Sequence, residues 1–379
     1  MPYELVSLIL QNTIYKLKSF ANVCVVRKKV YLCIALTLKI VMERKRRTSL
    51  KDLAERLGVS IATISRALRD SHEVSPAMRE KVKLLAEQLN YRPNPFAQGL
   101  RTEGPKAIGV VLPNLVTHYY AAVLDGIEDF AIRNGYTVIS ANSHEDQQRE
   151  AAAIDNFINL HVGGIIACLS QQTSQYEHFL EANKLGIPLV FFARTCMQDR
   201  FSSVTGDGDI AAQRATEHLI DTGSRRIAFI GGPNHLDMVQ RRKHGYLEAL
   251  REHRIPINRD IICCDLIDKE RVRQTVVALL RSDNRPDAIL AFNDIIMYAV
   301  FETVKELGLR IPEDIAIIGF SDSETSRLVT PKLSVIQDQA HLQGERACDL
   351  LLRQINGDTE IVHEQIPMLL QIRESSAKK

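Results

Sequence analysis

The chain has 379 residues, of which 45% are hydrophobic and 25% charged, enough for two or three domains and a sizeable core in an ordinary soluble protein. A net charge of +2 argues against a uniformly basic nucleic-acid binder. Seven cysteines, odd in number and without a C-x-x-C pair, argue for buried reduced thiols in a cytoplasmic protein rather than a disulfide framework.

Charge is unevenly distributed. Residues 1–41 carry 6 Lys/Arg and 1 acid, residues 42–104 carry 13 and 8, and residues 105–379 carry 29 and 37. A basic front end on an acidic body suits a DNA-binding head attached to a body that avoids phosphate. Within the first 41 residues, "RKKVYLCIALTLKIV" imitates a basic segment followed by an apolar one. It begins too late for a signal peptide, is interrupted by Lys39 and lacks a small-residue cleavage site. The run is also shorter than the roughly 20 residues a bilayer span requires. Residues 1–42 are therefore read as a non-native leader with Met42 as the natural start, with a membrane tether as the alternative.

From residue 43 to 92 the pattern is helical. Ser49 is an N-cap with Asp52 at N3, and Leu50, Leu53, Ala54 and Leu57 repeat on one face. Gly58 ends that helix, Ser60 caps the next, and Ser75 with Pro76 opens a third. The third places Val82, Leu85, Ala86 and Leu89 on one side. Three short helices with a three-residue turn between the first two describe a helix-turn-helix. In its second helix Ile64 and Leu68 point to the core, leaving Ile61, Ala62 and Arg66 outward. Outward apolar groups suit thymine methyls, and arginine suits guanine O6 and N7. Thr63 and Ser65 reach phosphates or base edges, and Ser49 and Ser60 join the expected DNA-contacting set. A three-helix protein-binding domain with a solvated Arg66 is the alternative.

Residues 93–104 contain "NPFAQGLRTE", a helix too short to be stable alone, with Asn94 as cap. Asn94, Ala97 and Leu100 are expected at DNA, with Leu100 as a wedge in the minor groove. A plain linker with Leu100 packed on the body is the other reading.

The head and hinge, "SLKDLAERLGVSIATISRALRDSHEVSPAMREKVKLLAEQLNYRPNPFAQGLRTEG", resemble those of the lactose/galactose repressor (LacI/GalR) family. The resemblance continues through "AIGVVLPNL", "GYLEAL", "AFNDIIMYAV", "IAIIGFSDSE" and "LLQIRESS", covering residues 43–376. It implies a two-lobed body like the periplasmic sugar-binding proteins, with a ligand between the lobes. Lobe 1 is then expected at about 105–205 and 337–359, and lobe 2 at about 206–336 and 360–379.

The body's own residues support α/β architecture. "KAIGVVL", "YTVISA", "GGIIAC", "IPLVFF", "RRIAFIGG", "DAILAF" and "DIAIIGF" are apolar runs of the kind that strands buried on both faces require. Amphipathic stretches alternate with them, which predicts parallel, doubly wound sheets. Ligands in such folds sit beyond the carboxyl ends of the strands. Tyr119, Tyr120, Arg194, Arg242, Asn293, Asp294, Ser321 and Asp322 follow the strand-like runs and make up the expected effector site. Aromatic faces with Arg, Asn and Asp suit a small polyhydroxylated ligand. By resemblance, Arg242, Asn293 and the pair Ser321–Asp322 match common ligand-contact positions, with Ser321 standing where many members have aspartate. Asp294 as a helix cap and Tyr119 as core are the plainer readings.

The sequence contains no G-x-G-x-x-G after the first strand, Walker motif, G-x-S-x-G elbow or H-E-x-x-H. Neither an enzyme, a cofactor nor a metal is expected. Residues and resemblance together predict a cytoplasmic, ligand-responsive transcriptional regulator. It is expected to repress as a homodimer on near-palindromic operator DNA, under control of a sugar or sugar derivative. With six residues after Arg373, no heptad tail for a tetramer is expected. A solute-binding protein for sugar uptake is the rival: it shares the body but needs export and no DNA-reading head.

Overall fold

The computed structural model describes residues 48–91, 106–266, 268–321 and 323–378. The chain divides into two compact units, residues 1–94 and 95–379. The leader and hinge segments lie outside the described residues, and with them Asn94, Ala97 and Leu100; Asp322 does too. Among the described residues no helix is long and apolar enough to cross a membrane.

The first unit holds α1 (Leu50–Leu57), α2 (Ile61–Leu68) and α3 (Pro76–Gln88). Each opens on the serine expected from the sequence. Ser49 and Asp52 form a reciprocal capping box, Ser60 accepts from the Thr63 amide, and Ser75 accepts from the Met78 amide. Gly58, at φ 62°, takes the left-handed conformation that turns the chain from α1 toward α2. Leu53, Ile64, Ala67 and Val82 are fully buried, with Ala54, Val74 and Ala86 around them. Leu68 packs at the edge of this core and Ala67 occupies its interior. A small side chain there lets the helices approach closely.

The second unit is built on two six-stranded sheets. The first consists of β1 (Ala107–Leu112), β2 (Thr137–Asn142), β3 (Gly164–Ala167), β4 (Leu189–Phe192), β5 (Ser202–Gly206) and β11 (His363–Ile366), in the order β11-β5-β4-β3-β1-β2. The second consists of β6 (Ile227–Ile230), β7 (Ile262–Cys263), β8 (Ala288–Ala291), β9 (Ala316–Phe320), β10 (Ser334–Gln337) and β12 (Leu369–Gln371), in the order β12-β10-β9-β8-β6-β7. All pairings are parallel except β10–β12. Helices cover the sheets: α4 (His118–Arg133), α5 (Gln147–Asn159) and α6 (Glu177–Lys184) follow β1 to β3. α7 (Gly208–Asp221), α8 (Asp237–Glu252), α9 (Lys269–Arg281), α10 (Asp294–Glu306) and the short α11 (Thr325–Leu328) belong to the second half, and α12 (Ala340–Ile355) returns to the first.

Two expectations are corrected. The return to the first lobe runs to residue 366, not 359, because β11 pairs in parallel with β5, His363 opposite Ser203 and Ile366 opposite Gly206. The strand "YTVISA" is not buried on both faces: β2 closes one edge of its sheet, and every one of its residues keeps some exposure. The chain thus crosses between sheets three times, at residues 206–208, 337–340 and 366–369.

The helix pairs on each lobe are held at very short range. A Cβ on Gly126 would lie 2.1 Å from the carbonyl oxygen of His341, and one on Gly344 would lie 2.1 Å from that of Val123. α4 and α12 therefore touch backbone to backbone. At the exposed rim of the same pair, Arg133 bonds Glu345 and His341 bonds Asp129.

Candidate DNA-reading helix and effector cleft

In the head, α2 presents Ile61 (48% exposed), Ala62 and Arg66 to solvent, with Thr63 and Ser65 half-buried beside them. Ile61 follows the Ser60 cap directly, so the first turn of α2 carries an apolar side chain that the core does not use. The Ser60 hydroxyl also lies 2.9 Å from that of Thr63. Arg69 donates to the Ser65 hydroxyl and carbonyl. Arg66 Nε lies 2.9 Å from Glu73 Oε2, both side chains about half exposed. Such a pair is worth at most about 1 kcal/mol, so it opens readily for a stronger partner. Ser49 is fully engaged in its capping box, with its amide and hydroxyl both donating to Asp52 Oδ2 at 2.7 Å. Asp70 is bonded by Lys83, which holds its carboxyl below the usual range.

In the body, a shallow, partly open pocket lies at the chain crossings. Its wall includes Tyr119, Arg241, Arg242, Asp237, Asp338 and Gln343. Arg242 is 3% exposed. Its guanidinium donates to the Phe292 carbonyl at 2.6 Å and to Asp338 Oδ1 at 2.8 Å, and lies 3.7 Å from the centroid of the Phe320 ring. Phe292 directly follows β8 and Phe320 ends β9, at the carboxyl edge of the sheet, so the cation is held at two strand ends and one crossing. The Tyr119 hydroxyl donates to Gln343 Oε1 at 2.7 Å, and Gln343 donates to the Asp338 carbonyl at 2.5 Å. Burial, with Asp338 nearby, raises the Tyr119 phenol well above its ordinary value and keeps it a neutral donor. Between the two lobes, a ring nitrogen of His235, beyond β6, lies 2.9 Å from the carbonyl of Gln171, beyond β3.

Of the eight residues expected here, Tyr119 and Arg242 line the pocket. Tyr120 turns into the first-lobe core, edge-on to Phe192. Arg194 stands behind the pocket wall, gripped at both ends of its fork by Glu145 at 2.7 and 3.2 Å. Asn293, not Asp294, caps α10, its Oδ1 accepting from the Ile296 amide at 2.9 Å. Asp294 is the first residue of that helix and accepts from the Ile295 amide. Ser321 is buried and accepts from the Ser323 amide. Arg241, Asp237, Asp338 and Gln343 also line the pocket, and none of them was expected there from the sequence. Arg241 adjoins Arg242 in "VQRRKHGY" and was open to inspection. Asp338 and Gln343 flank the start of α12 and reach the pocket only because the chain crosses lobes there.

A capped helix-turn-helix with an outward arginine, joined to a two-lobed body with a pocket at its crossings, defines a ligand-responsive DNA-binding regulator. Residues 49–94 match the family described as bacterial regulatory proteins, lacI family, and residues 216–376 match a periplasmic binding protein-like domain. Catabolite control protein A of Priestia megaterium is 33% identical over 333 residues, spanning 86% of this chain and 98% of that protein. The ribose operon repressor of Bacillus subtilis is 33% identical over 304 residues, 80% and 90% of the two chains. The lac repressor dimer bound to operator and the anti-inducer ONPF superposes with a TM-score of 0.76 at 26% identity, covering 87% of this chain and 99% of that one. The chain belongs to the LacI family of bacterial regulatory proteins. It is a sequence-specific DNA-binding transcriptional regulator, and nothing in its relatives favours the solute-binding reading.

Proposed function

We propose that the protein represses transcription from a near-palindromic operator as a cytoplasmic homodimer, and that a sugar or sugar derivative bound in the cleft sets its operator affinity. The observation that carries this is the exposed face of α2: Ile61, Ala62 and Arg66 have no role in the head's own core. Ile61 and Ala62 meet thymine methyls, Arg66 grips a guanine edge, and Ser60, Thr63 and Ser65 bond phosphates or base edges. Ser49 places the end of α1 at the backbone, and Asn94, Ala97 and Leu100 belong to the hinge at the operator centre.

In the body, Tyr119 and Arg242 contact the effector directly. Tyr120 and Arg194 stiffen the first-lobe side and Asn293, Asp294 and Ser321 the second-lobe side from outside the pocket lining, and Asp322 completes the assigned set. A sugar as effector is supported by the similarity to a ribose operon repressor and to a regulator in complex with cellobiose, the latter with a TM-score of 0.66 at 26% identity. The relatives are regulators rather than enzymes, and no turnover of the effector is part of this function.

The test is selection of duplex DNA from a random pool, followed by salt titration on the selected site. The expected outcome is a two-fold symmetric site bound at least about 10³ times more tightly than random DNA, with log K falling linearly with log salt. Equal affinity for all sequences, or sugar binding with no DNA binding, would sink the proposal.

A further inference from the structure

We propose that the cleft selects an uncharged sugar over the corresponding sugar acids and sugar phosphates. The inference rests on the cleft being the effector site. It is drawn from the charge inventory around the pocket, where each arginine already has a carboxylate. Arg242 holds Asp338 at 2.8 Å, with both side chains a tenth exposed or less. Arg241 holds Asp209 at 2.9 Å. Arg194, next to the pocket-lining Ala193, is gripped twice by Glu145.

Asp237 adds a further acid to the pocket wall at the start of α8. An arriving carboxylate or phosphate therefore meets cations whose charge is already balanced, and acids in excess. To pair with Arg242 it must displace Asp338 and strand that carboxylate in a buried site, which is strongly unfavourable. A hydroxyl both donates and accepts. It adds to an arginine–carboxylate network without separating the ions, and the Tyr119 ring and Met368 supply apolar surface for the C–H faces of a sugar ring.

The experiment is calorimetric titration of the full-length protein with matched sets: glucose, gluconate, glucuronate and glucose 6-phosphate; galactose and galacturonate; ribose and ribose 5-phosphate; cellobiose and cellobionate. The expected result is saturable binding of at least one neutral sugar, with its charged derivatives at least 100-fold weaker. Asp209→Asn frees Arg241 of its carboxylate and keeps the side chain's size. It is expected to narrow the neutral-to-acid affinity ratio at least tenfold, a change that a merely steric exclusion would not produce. An acid or phosphate that binds the native protein more tightly than its neutral parent overturns the inference. A panel in which nothing binds, or an unchanged ratio in Asp209→Asn, does so too. A gel shift on the selected operator reads the regulator function separately. Intact operator binding beside a tightly bound acid would fail this inference alone, whereas loss of operator binding would fail the proposed function.

Discussion

At the scale of single residues, Arg66 and Arg242 use the same side chain in opposite ways. Arg66 is half exposed and pairs with Glu73 across an exposed surface, so its guanidinium is available to a base edge at little cost. Arg66→Ala is expected to weaken the cognate operator complex by about 1–3 kcal/mol and relax preference at one base pair per half-site. Fluorescence anisotropy on duplexes varied one pair at a time checks this. An equal loss on every sequence would make Arg66 a phosphate contact. Arg242 is built in: its two bonds and the Phe320 face fix it before any ligand arrives. Both arginines were legible in the sequence, one as a charge on an otherwise apolar helix face and the other by its place in a family motif. Asp338 and Gln343 were not, because what brings them to the pocket is a chain crossing that no local pattern announces. Asn293 caps α10 and Ser321 accepts the Ser323 amide, whatever else they do. A polar residue just past a strand is as often needed to cap the next helix or tighten the turn.

At the scale of elements, glycine contacts set how the helices sit on the sheets. Since a Cβ on Gly344 would lie 2.1 Å from the Val123 carbonyl, and neither backbone can yield without moving a helix, Gly344→Ala is expected to destabilise the body by about 1–3 kcal/mol. Urea unfolding followed by circular dichroism measures it; an unchanged midpoint would mean the two helices slide freely. The C-terminal segment is stitched down differently, by serines: Ser375 donates to the Ile317 carbonyl at 2.6 Å, Ser376 donates to the Ser334 hydroxyl at 2.7 Å, and His218 lies 3.0 Å from the Ser376 hydroxyl. Burial depresses the His218 imidazole below its ordinary value, against the opposing pull of Ser376 and Asp221. The native state thus takes up this proton less readily than the unfolded chain. The stability linked to His218 is complete above the unfolded value of about 6.5 and is lost as pH falls below it toward the native value. His218→Gln is expected to make thermal stability less steeply pH-dependent across that window; a variant with an unaltered pH profile would refute the assignment. The same polar stitching explains what the sequence concealed. β1 to β4, β6, β8 and β9 were readable from hydrophobic runs. β5, "SSVTG", was not, because its Ser202 and Ser203 are buried and satisfied by Val362 and His363. β11, "HEQI", is polar, half exposed and takes its register from β5, so its sheet could not be read from its own residues.

At the scale of the whole molecule, any effect of a ligand on DNA must pass through the body's lobes, and these are joined by three crossings that are bonded to one another. Asp207, in the first, accepts the Met368 amide of the third at 2.6 Å, and Gln339, in the second, donates to the Pro367 carbonyl of the third at 2.5 Å. Asp338, beside Gln339, is the residue that holds Arg242. The three crossings are therefore tied to one another, and Asp338 in the second of them lines the pocket. A ligand that favours one lobe arrangement shifts the protein toward it only by its differential affinity for the two. Linkage makes the effect mutual: if effector changes operator affinity by a factor, operator changes effector affinity by the same factor, with couplings of about 5- to 150-fold being usual. Asp207→Ala removes the tie between the first and third crossings, whereas Asp207→Asn keeps an oxygen to accept the Met368 amide. Alanine is expected to reduce the coupling factor severalfold while leaving effector-free operator affinity within about twofold, and asparagine to preserve the coupling. The measurement is a closed thermodynamic box: operator affinity with and without saturating effector, and effector affinity with and without operator, for each protein. A coupling factor as large in Asp207→Ala as in the native chain would show that the lobes communicate without this tie, for instance through the α4–α12 contact.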